Sequence, residues 1–336
     1  MAEFVYNNDG FGALTELADT DMSDQDAIDL LVRPMAESDL TGLDWCILTT
    51  AEHNCRTRHE LAFDGIGINR ELDQRVGKVV AHYNARPDDL FDVVIRGCHE
   101  LGVKIYGNVR LNHALNPERL TTVPGAVNFS FYNSVKKDFR QFSFHQYLAE
   151  LFEDLLEKGV DGISLDFERK APFFPPSTPW DESRSACLWF LRRIRDLTDK
   201  PIIARVSYEP EKGRPQGQDP LAWMAEGLID VIVPGTHNHE PDSLDWTFDE
   251  FLEAARSSPR TCQVWPQIWP TGAGWEDGAE DGAISRIHSA EAIVARAKDI
   301  LARGADGVYF FNFCCYHGDG KLFNEPWQLE MFRQLT

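Results

Sequence analysis

The sequence predicts a single (β/α)₈ barrel, or TIM barrel, with elongated βα loops, and three observations support this fold class. Short apolar runs typical of buried strands alternate with amphipathic helical patterns along the whole chain. This strand–helix unit recurs eight times over 336 residues, a usual length for such a barrel. The phosphate-binding glycine turn expected in the main alternative, an open doubly wound sheet, does not follow the first strand. We therefore expect one catalytic domain over 1–336.

The predicted strands are short and rich in β-branched and aromatic residues. This composition is expected of a parallel sheet that is covered on both faces. In chain order the strands are predicted at 4–6, 45–48, 103–109, 162–167, 202–207, 231–233, 262–267 and 307–312.

The predicted helices carry recognisable start and stop signals. Ser23 and Asp26 have the spacing of a capping box, as do Ser143 and Gln146, and Gly159 is a typical helix end. The helices are predicted at 24–37, 70–84, 88–101, 144–158, 182–198, 219–227, 247–257, 289–303 and 325–335. The remaining length falls in long loops at about 50–70, 111–142, 170–181 and 270–288.

Composition narrows the function classes. The chain has 33 Lys and Arg against 54 Asp and Glu, a net charge of −21, which argues against nucleic-acid and anionic-membrane partners. The sequence lacks an apolar run long enough to span a bilayer and does not begin like a signal peptide. Seven cysteines without a Cys-x-x-Cys pair indicate free thiols in a reducing compartment. We expect a cytoplasmic protein, although a removed signal peptide stays possible, and we expect no cofactor.

Polar residues crowd the predicted carboxyl ends of the strands, where barrels of this kind carry their active sites. Aromatic rings there suit the C–H faces of sugars, and arginines suit a carboxylate or sulfate group unless they pair with nearby acids. Because of the net charge, a neutral sugar is the simpler expectation. The candidate substrate-binding residues are Asp9, Arg110, His113, Arg205, Tyr208, His237, Trp265, Gln267 and Asn312.

The fourth predicted strand carries the sharpest signal. Alternation places Ser164, Asp166 and Glu168 on one face, opposite the large apolar residues between them, so the polar set should point into the barrel. Two acids at this spacing lie about 6–7 Å apart at their Cα atoms, and close carboxylates push their pKa values apart. One is then able to act as a proton donor near neutral pH. The alternative is that one of them pairs with Arg110, Arg169 or Arg205.

Two resemblances follow from these motifs. Residues 161–168, Asp-Gly-Ile-Ser-Leu-Asp-Phe-Glu, resemble the Asp-Gly-x-Asp-x-Asp-x-Glu motif of the chitinase-like glycoside hydrolases of family 18, with Ser164 in place of the middle Asp. This resemblance implies that Glu168 is the general acid and that Asp166 assists the substrate's acetamido group. The segments 7–10, 161–169 and 305–312 are similar to bacterial "family 10-like" glycosyl-hydrolase barrels, which implies a glycoside or polysaccharide substrate.

The sequence therefore predicts a glycoside hydrolase that acts on a poly- or oligosaccharide, with Asp166 and Glu168 as the catalytic acid/base pair and no metal. Other carboxylates stay open as the second catalytic group, since the seventh strand ends in Gln267; these are Asp9, Glu52, Glu209, Glu240 and Asp242. A lyase or epimerase with His237 or Tyr208 as its base is an alternative. Further alternatives are a metal-dependent hydrolase that uses His237 and His239 and a sugar-binding barrel without activity. Oligomeric state and anomeric outcome stay open.

Overall fold

A computed structural model describes residues 2–67, 70–123, 128–131, 134–169, 171–236, 244–270, 288–313 and 326–336. Its strands run in the order in which the alternating sequence pattern places them. They are β1 (Glu3–Asn8), β2 (Gly42–Cys46), β3 (Lys104–Arg110), β4 (Asn128–Phe131), β5 (Ser134–Lys137), β6 (Gly162–Asp166), β7 (Ile202–Ser207), β8 (Val231–Gly235), β9 (Gln263–Val264), β10 (Gln267–Ile268) and β11 (Gly307–Phe310).

Nine of these strands form one parallel sheet, in the order β10-β11-β1-β2-β3-β6-β7-β8-β9. The two end strands, β9 and β10, are consecutive in the chain and are separated by Trp265 and Pro266. Hydrogen bonds bridge this break, because Trp265 N donates to Ile232 O at 2.9 Å and Tyr309 N donates to Pro266 O at 3.1 Å. The two segments therefore make up an interrupted seventh strand, and the predicted (β/α)₈ barrel is confirmed.

Helices cover the outside of the barrel, and β4 and β5 form a separate antiparallel hairpin in the loop after β3. None of the described helices is long and apolar enough to cross a bilayer. The helices are α1 (Gly12–Leu17), α2 (Asp24–Leu31), α3 (Arg33–Ala36), α4 (Arg70–Asn84), α5 (Leu90–Leu101), α6 (Phe142–Lys158), α7 (Trp180–Leu197), α8 (Pro210–Gly213), α9 (Pro220–Ala225), α10 (Asp249–Ser257), α11 (Ala290–Ala302) and α12 (Pro326–Phe332).

The first predicted capping box is confirmed and the second is wrong. Ser23 and Asp26 exchange the two hydrogen bonds of a capping box at the start of α2. The helix α6 instead begins at Phe142, before Ser143, without a side-chain cap. Gln146 lies inside this helix and donates to Glu150 Oε1, one turn further on, at 2.6 Å.

The second strand begins three residues and ends two residues earlier than the sequence predicts, and this shift changes which side chains face inward. The apolar run 45–48 predicts the strand, but the hydrogen-bonded segment is Gly42–Cys46. Leu43 and Trp45 pack in the outer core against the helices. Asp44, between them, therefore points into the barrel.

The amino end of the barrel interior is apolar, and toward the carboxyl end polar side chains join the apolar ones. Val5, Tyr106 and Trp265 belong to the interior apolar cluster, and the rings of Tyr106 and Trp265 meet edge to face at 6.1 Å. Trp265 also lies beside Gly307, the first residue of β11, at the amino end of the strands. The expectation that Trp265 binds sugar at the carboxyl end, which we call the mouth, does not agree with this position.

Candidate active site

The mouth is built around Asp166 at the carboxyl end of β6. In the sheet register Asp166 lies between Arg110 of β3 and Arg205 of β7. Ile163 and Leu165 pack in the outer core, so the alternation predicted for this strand is confirmed. The three side chains of this level are nearly inaccessible to solvent, although all of them carry charge.

Asp166 and Arg205 form a buried ion pair. Arg205 Nη1 donates to Asp166 Oδ1 at 2.8 Å, and the same oxygen accepts the backbone N–H groups of Glu168 and Arg169, both at 2.9 Å. One of the two strand-four acids thus has an arginine partner, as the alternative interpretation of the sequence allowed. Removing either member of such a pair leaves a buried charge without compensation.

A second set of contacts fixes the plane of the Arg205 guanidinium. Its Nε donates to Gln267 Oε1 at 2.5 Å, and its central carbon lies 3.7 Å from the centroid of the Phe311 ring. Gln267 Nε2 donates to Thr236 Oγ1 at 3.1 Å, so its oxygen faces the arginine. Gly235 leaves the space for this amide, because a Cβ there would lie 2.5 Å from Gln267 Oε1.

Arg110 crosses the mouth toward the end of β11. Its Nη2 donates to Asn312 Oδ1 at 3.3 Å, and Asn312 has a left-handed backbone with φ of 53°. Burial raises the pKa of the nearby Cys46 thiol to about 12; the charge of Arg110 opposes this shift and those of Asp9 and Asp166 add to it. Two guanidinium groups therefore converge on residues 311–312 from opposite sides of Asp166.

Glu168 is fully buried and is held by Gln218, a residue that the sequence analysis missed. Gln218 Nε2 donates to Glu168 Oε1 at 2.5 Å. The backbone N–H of Ser207 donates to Gln218 Oε1 at 3.0 Å, which settles the orientation of the amide. Gln218 therefore directs an N–H group at the carboxyl that the sequence analysis chose as the acid.

Two adjoining pockets lie near Gln218, which lines the smaller of them. The smaller, of about 200 Å³, is lined by residues that include Ser207, Gln218 and Trp180. The larger, of about 580 Å³, shares Trp180 and Arg214 with it and includes Phe174 of the proline-rich loop. The Arg214 guanidinium lies 5.5 Å from the centroid of the Trp180 ring. The wall shared by the two pockets therefore combines the partly exposed ring of Trp180 with a hydrogen-bond donor, the guanidinium of Arg214.

A third buried carboxyl, Asp44, lies below the mouth and was also missed. Its Oδ2 accepts from Asn108 Nδ2 at 2.8 Å, Asn7 Nδ2 at 3.0 Å and Ser164 Oγ at 3.3 Å, and also from the Tyr309 hydroxyl. Burial raises the pKa of Asp44 to about 6, against the effect of these donors. Regular alternation along the true second strand is the signal that would have found it.

Three other candidate residues make structural contacts. Asp9 Oδ1 accepts the backbone N–H groups of Phe11 and Gly12, both at 2.9 Å, at the start of α1. His113 is buried in the loop after β3, where its backbone N–H donates to a threonine hydroxyl at 3.2 Å. Tyr208 stacks on Trp246 with 4.6 Å between ring centroids. The candidates His237, His239, Glu240 and Asp242 lie outside the described residues.

The alternative second carboxylates in the described loops have local partners. Glu52 is buried, and burial raises its pKa while hydrogen bonds from Thr49 and the backbone of residues 115–116 oppose the shift. Glu209 forms an ion pair with Lys212 at 3.1 Å. Within the described ranges, three or more His, Cys, Asp or Glu side chains do not come together as a group that could hold a metal ion.

The sequence matches no family model, and no curated protein matches it either. Solved structures do match its fold. The α-L-fucosidase isoenzyme 2 of Paenibacillus thiaminolyticus aligns with a TM-score of 0.60 and 13% identity over 100% of this chain and 49% of that one. The chain thus spans about half the length of that enzyme.

Two further structures align over nearly their whole length. The PgaB (BpsB) glycoside hydrolase domain of Bordetella bronchiseptica has a TM-score of 0.61 and 12% identity, with 100% of this chain and 98% of that chain covered. A chitinase of Bacteroides thetaiotaomicron has a TM-score of 0.53 and 13% identity, with coverages of 99% and 96%. At these identities the likeness concerns the fold. The chain is therefore a (β/α)₈ barrel similar in fold to solved glycoside hydrolases.

Proposed function

We propose that this protein is a glycoside hydrolase that acts on a poly- or oligosaccharide, with residues 1–336 as one catalytic domain. The observation that carries the proposal is the placement of two buried carboxyl groups, Asp166 and Glu168, at the carboxyl end of the fourth barrel strand. Their surroundings differ, since one pairs with a guanidinium and the other with a neutral amide. Two carboxyls in unlike surroundings suit unlike roles in proton transfer.

These contacts support a role for each carboxyl group. Glu168 donates its proton to the glycosidic oxygen as the bond to the anomeric carbon breaks, with Gln218 holding the carboxyl in place. One water completes the reaction, because its hydroxyl ends on the anomeric carbon and its proton restores Glu168. Asp166 carries the negative charge beside the positive charge that develops on the sugar ring. Arg205 and two backbone N–H groups hold Asp166 in a single orientation. The fold neighbours, which include a chitinase and a fucosidase, support carbohydrate chemistry for this barrel.

A screen of aryl glycosides and polysaccharides tests the proposal. We expect the wild type to hydrolyse at least one of them and Asp166→Asn and Glu168→Gln to lose that activity. The matched control is Glu157→Gln, because Glu157 is 77% exposed on α6 and should not affect turnover. Full activity in both strand-four variants would contradict the assignment.

A further inference from the structure

Two buried nitrogen atoms at the mouth lack a hydrogen-bond partner within the part of the chain that the structure describes. They are Nη2 of Arg205 and Nδ2 of Asn312. Both side chains are completely inaccessible to solvent. Burying a donor without an acceptor is unfavourable, and more so when the donor is charged, so each such group requires an explanation.

Both donors belong to side chains whose other polar atoms are used. Arg205 donates from Nη1 to Asp166 and from Nε to Gln267, so Nη2 is its unused donor. Asn312 uses its oxygen to accept from Arg110, which turns its NH₂ group away from that guanidinium. The other hydrogen bonds of Arg205 and Asn312 show that both side chains are correctly oriented. A misplaced side chain therefore does not explain the two unused donors.

The two donors also belong to one region. The Arg205 guanidinium lies on the ring of Phe311, and Asn312 is the next residue in the chain. Arg110 adds its positive charge there through its bond to Asn312. The end of β11 thus combines two guanidinium groups with two unused N–H donors.

We propose that this region binds the anionic group, a carboxylate or a sulfate, of an acidic sugar through Arg205 Nη2 and Asn312 Nδ2. The inference rests on the proposed function in that the acidic sugar is the substrate. Guanidinium donors bind carboxylate and sulfate oxygens more strongly than neutral hydroxyls, because both partners are charged. This inference differs from the expectation of a neutral sugar, which rests on the net charge of the chain. The charge that an acidic sugar meets is the local positive charge at the mouth.

Binding is measured with Glu168→Gln, which should retain the site without turnover. Calorimetric titrations compare oligosaccharides of glucuronate, galacturonate and mannuronate, and a sulfated galactose, with the neutral methyl esters or the unsulfated sugar. Sodium acetate and sodium sulfate at matched ionic strength show whether a free anion is sufficient. We expect at least one acidic sugar to bind ten-fold or more tightly than its neutral counterpart and than the free anions.

Asn312→Asp, introduced into the Glu168→Gln protein, supplies the matched site variant. It preserves the shape of the side chain and tolerates the left-handed backbone, but it replaces the donor with a negative charge. We expect it to abolish the preference for the acidic sugar. Equal affinity for acid and ester, equal affinity for free sulfate, no binding of any acidic sugar, or an unchanged preference in Asn312→Asp would each overturn the inference.

Hydrolysis by the wild type separates this inference from the proposed function. Hydrolysis of neutral glycosides without any binding of acidic sugars would refute the anionic site and leave the hydrolase standing. Selective binding of an acidic sugar without hydrolysis of its aryl glycoside or of its polymer would support the anionic site and refute the proposed hydrolase.

Discussion

Asp166 and Asp44 are two buried acids of one barrel interior, and their surroundings differ. Asp166 faces a guanidinium and two backbone N–H groups, whereas Asp44 faces four neutral side chains. Among the described residues, two donors near Asp166, on Arg205 and Asn312, lack an acceptor. Near Asp44, in the same described part of the chain, it is acceptors that lack a donor.

The leftover acceptors are Oδ1 of Asn7, Asp44 and Asn108, which all belong to one hydrogen-bonded group. A proton on Asp44 supplies a donor to this group, which is consistent with its raised pKa. Below about pH 6 a proton on Asp44 would satisfy part of the lower level, and the proposed anionic ligand would satisfy the donors at the mouth. Burial alone therefore does not distinguish an acid held by neutral side chains from one that is paired with a guanidinium.

The largest expected effect is on turnover, and it separates the two levels. Glu168→Gln should lower kcat about 10³-fold, because proton transfer to the leaving group is lost. Asp44→Asn should retain most of the activity, since Asp44 lies below the mouth. Steady-state kinetics on the substrate from the screen measures both. Equal losses in the two variants would remove the functional distinction between the levels.

Replacing Arg205 with a neutral residue leaves Asp166, like Asp44, as a buried acid without a guanidinium partner. Arg205→Met leaves Asp166 buried without its partner, which should lower the free energy of unfolding by about 3–5 kcal/mol. Urea denaturation measures this loss, and adding Asp166→Asn should restore part of it. If Arg205→Met alone is as stable as the wild type, the ion pair does not contribute to the stability of the folded protein.

Asp44 predicts a pH dependence with a definite sign. Its pKa is raised in the folded state from 3.8 to about 6, so the folded protein binds the proton more tightly than the unfolded chain does. Its contribution to stability therefore falls as pH rises between about 4 and 6, by about 3 kcal/mol.

Asp44→Asn lacks this titration. Relative to wild type, it should gain up to about 3 kcal/mol between pH 4 and pH 7 in guanidinium denaturation. A stability difference that stays constant across this range would mean that Asp44 does not titrate with a raised pKa.

The smallest effect concerns the positioning of Glu168. Gln218→Leu removes the amide that donates to Glu168 Oε1 and should lower kcat about ten-fold, which corresponds to about 1.4 kcal/mol. We expect KM to change little, because this amide holds the acid and not the substrate. A rise in KM at constant kcat would instead place Gln218 in substrate binding.

The sequence predicts the barrel well and the site in part. Alternation on the fourth strand identified the inward side chains of Ser164 and Asp166 correctly because that strand is uninterrupted. The same pattern failed on the seventh strand, which continues past Pro266 to Ile268, so Trp265 lies lower than its apparent place at the strand end.

The missed residues have physical reasons. The sequence does not identify Asp44 because the apolar run 45–48 predicts a strand there, whereas the strand is Gly42–Cys46. Gln218 lies 11 residues after Ser207 in a loop, and it reaches Glu168 through chain folding that leaves no spacing in the sequence. Partners that loops bring together are therefore found in the structure and not from strand periodicity.

The role of Glu168 as the proton donor is tested most directly by the leaving-group dependence of Glu168→Gln. A 2,4-dinitrophenyl glycoside needs little protonation to depart, whereas a phenyl or methylumbelliferyl glycoside of the same sugar needs a proton. We expect Glu168→Gln to lose about 10³-fold in kcat/KM on the poor leaving groups and far less on the dinitrophenyl glycoside. An equal loss on all of them, or no loss on any, would contradict the assignment.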